Sequence, residues 1–285
     1  MGAVRHVEGR AEDNEEVRVP PTLSRRGRRR PPVAVLALAA LAVAFFVIPL
    51  VGLLQRAPWS ELADDLTDPV VRDALRLSLV CSAGATALAF VLGLPLAWVL
   101  ARTELPGRRA VRALVLLPMV LPPVVGGVAL LLAFGRRGLV GQYLDDWFGV
   151  RLPFTTWGAI LAEAFVAMPF FVIVVEAGLR SLDRRYEEAA ATLGARGFTT
   201  FRRVVLPLIA PSLVAGAALT WARALGEFGA TILFAGNLQG ETQTMPLAIF
   251  VELQTNLGGA IALSLVLLAV SIVVLVSLRE RWFPA

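Results

Sequence analysis

Six apolar blocks, each long enough to cross a lipid bilayer as a helix, constrain this chain more than any other feature of its sequence. They run at about Val33–Leu54, Ala74–Ala101, Ala110–Phe134, Trp157–Leu179, Val205–Ala235 and Leu257–Leu278. A hydrocarbon core about 30 Å thick takes about 20 helical residues to cross. The α-helix is also the one continuous segment that satisfies its own backbone hydrogen bonds in lipid. A soluble fold would have to bury several helices that are apolar all round, and a chain of 285 residues rarely supplies such a core. The expected fold class is therefore an all-α membrane protein with about six transmembrane helices.

The distribution of arginine sets the expected orientation. The chain has no lysine, so all 27 basic residues are arginines. Threading six spans from an inner N-terminus puts Arg102, Arg108, Arg109 and Arg112 in one inner loop. Arg180, Arg184, Arg185, Arg196, Arg202 and Arg203 fall in the next, and Arg279 and Arg281 follow the last span. The outer loops keep Arg56, Arg72, Arg76, Arg136, Arg137 and Arg151, and the segment from Gly236 to Asn256 has none. By the positive-inside rule both termini are expected in the cytoplasm. Residues 1–32 read as a disordered, arginine-rich cytoplasmic tail, and 33–285 as the membrane domain. The Arg25–Arg30 cluster suits anionic lipid directly before an apolar span, more simply than nucleic acid. The block after it is too long for the apolar core of a signal peptide and is expected to stay as an anchor. Trp59–Leu66 and Gln142–Phe148 read as short helices at the outer surface or as solvated loops anchored by Trp59 and Trp147.

The residue inventory excludes several chemistries. A phosphate-binding loop of the form G-x-x-x-x-G-K-[ST] needs a lysine, so any ATP must be handled by another polypeptide. With His6 and Cys81 as the only residues of their kinds, histidine zinc sites, Cys–His nucleophiles and intrachain disulfides are out of reach. Cys81 reads as a small buried side chain.

One inner loop, at about 180–207, carries a pattern of its own. Ser181 or Asp183 can cap a helix that Gly194 ends by supplying a left-handed backbone. Tyr186, Ala189, Ala190 and Leu193 recur at i, i+3, i+4, i+7 and make one small-residue face, with Glu187 and Arg184 pointing elsewhere and Glu188 flanking it. A second amphipathic helix from about Thr199 runs into Leu206-Pro207 and ties the first to the fifth span. A docking helix joined mechanically to a membrane helix suits a transporter driven by an external motor. A peripheral helix lying on the bilayer has the same periodicity, but leaves the spacing to Gly194 and Pro207 unaccounted for.

Glu188-Ala189-Ala190, Gly194 and Val204-x-Leu206-Pro207 match the E-A-A-x3-G-x9-[IV]-x-L-P motif at every position, so the chain resembles the permease subunits of ABC importers. Leu117–Gly127, Trp221–Thr231 and Phe234–Asn237 are similar to the molybdate, tungstate and sulfate permeases, and Thr242–Ile249 is most similar to the molybdate branch. The resemblance implies a type I-like permease fold in the inner membrane of a bacterium or archaeon. It implies a homodimer, two cytoplasmic ATPase subunits and an extracytoplasmic oxyanion-binding protein as partners, besides membrane lipid and without nucleic acid. ATP and Mg²⁺ would sit on the ATPase, and this chain would bind no cofactor or metal and catalyse no reaction. Tyr186, Glu187, Glu188, Ala189, Ala190, Leu193, Gly194, Leu206 and Pro207 would seat the ATPase. Pro122, Pro123, Arg223, Gly226, Glu227 and Gly229 would lie near the path or gate. The arginine-rich tail departs from the family pattern.

The path residues also have a physical reading. Pro118, Pro122 and Pro123 each remove a helical hydrogen bond, and with Gly126 and Gly127 they make the third span kinked, either to line a path or simply to pack bent. Arg223 and Glu227 stand one turn apart inside the fifth span, where charges are costly and a pair is expected, facing a path or serving as an internal tie. Glu163 and Glu176 are further intramembrane acids, and Glu176 is placed to reach water. A proton- or ion-coupled secondary transporter using Glu163, Glu176 and Glu227 as relays is the rival reading. An intramembrane enzyme is poorer, because no span contains a histidine.

Overall fold

A computed structural model describes residues 32–60 and 67–282. The arginine-rich tail through residue 31 and most of the expected Trp59–Leu66 helix lie outside the described residues, as do the Arg279 and Arg281 side chains. The described residues are helical, without strands. Four helices are long and apolar enough to cross a membrane, and six spans result if each of two bent helix pairs counts as one. Val33–Gln55 (α1) is one of the four, a helix with no buried residue and apolar on every side.

The bundle is organised along Thr156–Ser181 (α6), 26 residues and the most deeply buried span. Its partner Pro69–Arg102 (α2) runs parallel to it. Cys81 packs with Ala159 and Ile160, Gly93 against Phe171 and Val172, and Leu100 with Leu179, so the two register together along their lengths. Small side chains permit this approach: a Cβ on Gly84 would lie 2.9 Å from Ile160, and one on Gly93 3.0 Å from Phe171. Lipid supplies no hydrophobic drive between helices, so close packing of small residues holds such a pair.

The third expected span is two helices, Arg108–Val120 (α3) and Pro123–Phe134 (α4), bent by 118° at Leu121-Pro122. Proline restricts the residue before it to extended backbone, and Leu121 (ψ 135°) and Pro122 (ψ 132°) are both extended. At 13 and 12 residues neither helix crosses a bilayer alone. Together they still traverse the bundle, because Arg112 meets Glu176 near one end of α6 and Phe134 packs by Leu161 towards the other. After the short helix Gly141–Phe148 (α5) the chain enters α6.

The expected docking loop follows α6 as Arg185–Thr192 (α7) and Gly197–Leu208 (α8). The fifth expected span is divided as well. Ala210–Leu225 (α9) leaves α8 at 71°, with Pro211 in its first turn, and Gly229–Phe234 (α10) follows a second break. This path runs antiparallel to α6, from Ser212 against Gly178, through Gly216 against Phe171, to Phe234 beside Gly158. The sequence reading overlooked Met245–Thr255 (α11), which is too short to span and starts at a proline position that suits helix entry. Its Met245 N–H donates to Ser78 Oγ at 2.7 Å, and Leu257–Trp282 (α12) ends the bundle.

At the end of the bundle away from the docking loop, Asp145 on α5 accepts hydrogen bonds from Arg151 Nε and Arg136 Nε, both at 2.9 Å. Arg151 first, and then Arg136, hold its carboxyl below the ordinary value of 3.8. The stabilisation from these pairs is in place above that ordinary value and is lost as pH falls through the lower, folded-state value. The melting temperature of Asp145→Asn is expected to sit below wild type by a constant margin above about pH 5, and the margin to shrink in stronger acid. A margin that widens in acid would contradict the arrangement.

Candidate functional site

Two regions gather the expected site residues, one at the end of the bundle and one inside it. At the end, Asp183 Oδ1 accepts the Arg185 N–H at 3.0 Å and starts α7, whereas Ser181 still belongs to α6 and bonds back to the Gly178 carbonyl. Gly194 ends α7 at φ +81°, as its spacing required. Tyr186, Glu188, Ala189 and Leu193 are exposed, with Leu193 89% accessible, and only Ala190 of the small-residue face turns inward. Phe198 extends this apolar surface at 75% exposure. The sequence reading passed it over because it lies beyond the α7 repeat. Exposed apolar groups clustered outside the lipid-crossing region mark a contact surface.

Glu187 and Leu206 do different work from their neighbours. Glu187 turns back to Arg102 at the end of α2, at 2.8 Å, and Arg102 also donates to the Leu182 carbonyl at 3.2 Å. Leu206 packs on the core cluster of α2 and α6, while Pro207 stays exposed. A π-helical turn, Phe201–Val205, sets the lever's root, with Phe201 edge-on to Trp98 at 5.0 Å and Val205 fully buried. A widened turn of this kind often marks a functional joint. Helix α7 is thus fixed to α2 by an ion pair and to α9 through α8.

Inside the bundle, the two helix breaks meet. Gly229 at the start of α10 lies against Pro123 at the start of α4, where an added Cβ would come within 2.9 Å of the proline Cβ. Gly127 faces α10 equally closely, where an added Cβ would come within 2.8 Å of Leu233 and 3.0 Å of the Ala230 carbonyl. Pro122, Pro123 and Gly226 are exposed beside this contact. Arg223 and Glu227 pair at 2.6 Å, and the Glu227 carboxylate, 1% exposed, also accepts the Ala230 N–H at 2.8 Å. One acid therefore neutralises the arginine and caps α10 across the break, which is why the charge can be buried there. Glu163 on α6 is equally buried, interacts electrostatically with Glu227 and leaves Oε2 without a hydrogen-bond partner. Thr220 and Thr231 add unpartnered hydroxyls on either side of the break.

Glu176 lies near the end of α6 that leads into the 180–207 loop, as expected, but it is buried among arginines instead of reaching out into water. Its side chain is 8% exposed and is held by Arg108, Arg112 and Arg180. Of the three acids in the relay reading, Glu176 and Glu227 are thus engaged by arginines.

A multi-helical membrane bundle that offers a short helix on a lever at one end has the build of a transporter's membrane subunit. Comparison with known proteins supplies the family. Residues 89–283 match the family described as binding-protein-dependent transport system inner membrane component, and the chain belongs to that family. The molybdenum transport system permease protein ModB of Mycobacterium tuberculosis is 45% identical over 243 residues, covering 85% of this chain and 92% of that protein. The sulfate transport system permease protein CysT of Salmonella typhimurium is 41% identical over 231 residues, covering 81% and 83%. The same fold occurs in the crystal structure of a bacterial alginate ABC transporter in complex with an alginate pentasaccharide-bound periplasmic protein, where one chain superposes with a TM-score of 0.70 at 20% identity over 87% of this chain and 93% of that one. The protein is accordingly a multi-pass inner-membrane transport subunit rather than an enzyme.

Two outcomes test the site. In a double-mutant cycle on Arg102→Ala and Glu187→Ala, the coupling energy from thermal unfolding is expected at about 0.5–3 kcal/mol, and additive effects would remove the tie. Gly229→Val is expected to cost about 1–3 kcal/mol by forcing α10 from Pro123, read as a lower melting temperature of the purified protein.

Proposed function

We propose that this chain is the permease subunit of an ATP-driven ABC importer for a tetrahedral oxyanion, with molybdate as the substrate. The observation that carries the transport mechanism is the rigid linkage of an exposed docking helix to a buried helix break. Force applied to α7 passes through Arg102 to α2 and through the π-helical joint to α9, whose far end is the Arg223–Glu227 break. Two ATPase subunits would grip the exposed faces of α7 in a pair of permease copies, with ATP and Mg²⁺ bound on those partners. Tyr186, Glu188, Ala189, Leu193, Gly194 and Phe198 would form the seat, with Ala190, Leu206 and Pro207 joining it to the lever. An oxyanion-binding protein would deliver substrate at the opposite face, and closure of the ATPase pair would switch the path between inward- and outward-open forms. Pro122, Pro123, Gly226 and Gly229 would act as the yielding parts of the gate.

The cytoplasmic placement of α7 is supported by the arginines gathered at its end of the bundle. Molybdate is supported by the name of the relative at 45% identity, and the sulfate permease at 41% makes sulfate the alternative within the same anion class. Competition between labelled molybdate and unlabelled sulfate in reconstituted importer separates the two.

Gly194→Leu is the decisive variant. Its left-handed backbone costs a branched side chain about 1–2 kcal/mol, and the seat for the partner is distorted. With the ATPase and binding protein present in proteoliposomes, ATP-driven molybdate uptake is expected to fall at least tenfold while membrane insertion is retained. Unchanged uptake would refute the docking role.

A further inference from the structure

The arginines around Glu176 do more than orient the chain. Helix α3 opens with Arg108, Arg109 and Arg112, and has neither an acid in its first turn nor a side-chain cap at Gly107. A helix N-terminus already carries partial positive charge, so cations there oppose the helix dipole. Arg108 and Arg180 lie 4.0 and 2.7 Å from Glu176, and Arg112 pairs with it too. Three guanidiniums on one carboxylate leave a surplus of two positive charges, and Arg112 Nε is buried with no hydrogen-bond partner.

This cluster heads an open cleft of about 300 Å³ between α3 and α6. Arg112, Glu176 and Arg180 line its charged end, and Val115, Leu116 and Ile173 line the apolar remainder. The cleft lies at the docking-loop end, since Arg180 also donates to the Leu100 carbonyl, two residues before the Arg102 that holds Glu187. A ligand matching it has a negative head and an apolar tail.

We propose that this cleft binds an anionic phospholipid of the docking-side leaflet. The phosphate sits among Arg108, Arg112 and Arg180, adds hydrogen bonds where Glu176 leaves guanidinium donors free, and offsets the charge at the α3 N-terminus. One acyl chain follows Val115, Leu116 and Ile173. A soluble anion gains nothing from that apolar wall, and a zwitterionic lipid brings its own cation up to the arginines. Neither the docking face nor the break at Glu227 takes part, so the site stands or falls apart from the substrate assignment.

Native mass spectrometry of the detergent-purified full chain, titrated with phosphatidylglycerol and with phosphatidylcholine, tests the site. Wild type is expected to retain phosphatidylglycerol in clear preference. Arg108→Gln with Arg112→Gln is expected to weaken it roughly tenfold or more, and Arg137→Gln at the opposite end to leave it unchanged. Ile173→Trp fills the apolar wall without touching a charge and is expected to displace the lipid. That variant decides the matter if the arginine variant does not fold. Equal retention of both lipids, unaltered binding in Ile173→Trp, or displacement of the lipid by excess inorganic phosphate would each overturn the proposal, the last by making the site one for a soluble anion.

Discussion

Close approach of helices along α6 is the constraint on which the other features depend. In lipid, apolar side chains gain nothing by leaving the surrounding tails for a neighbouring helix, so packing contact has to hold the bundle. Small residues supply it here, through Cys81, Ala85 and Gly93 of α2 and Gly178 of α6, which let backbones meet where larger residues would separate them. With α2 and α6 locked in parallel, the other spans are measured against them, and each charged group is carried to a defined level of the membrane.

The broken helices are intelligible on that frame. Prolines at Pro122, Pro123 and Pro211 interrupt hydrogen bonding where the chain must step sideways to stay against α6. The cost of each break is met locally. Glu227 caps α10 and neutralises Arg223 with the same carboxylate, and Gly229 and Gly127 admit the opposing backbone. A site assembled from interrupted helices can change shape with less loss of hydrogen bonding than a continuous span. Helices α7 and α8 connect to this region through α9, so the proposed docking lever and gate share one covalent path.

The arginines divide into distinct duties. Arg102 holds the docking helix, Arg223 pairs inside the membrane, and Arg108, Arg112 and Arg180 converge on Glu176. One terminal nitrogen of Arg102 holds a carboxylate and a carbonyl together, those of Glu187 and Leu182.

The sequence by itself determined the helical membrane class, the short helix after α6 with its stop at Gly194, and the Arg223–Glu227 pair. Each rests on local chemistry: run length, a backbone angle that favours glycine, or two charges one turn apart. Thr242–Ile249 carried a family resemblance without revealing the helix that begins in it, because 11 residues starting beside a proline give no spanning signal. Tertiary structure alone decided that the two breaks meet at Pro123 and Gly229, that Glu187 faces Arg102, and that Glu176 is enclosed rather than wet. Those partners lie 106, 85 and 64 residues apart in the chain, a separation across which periodicity carries no information, and only the packing of α2, α3 and α10 around α6 brings them together.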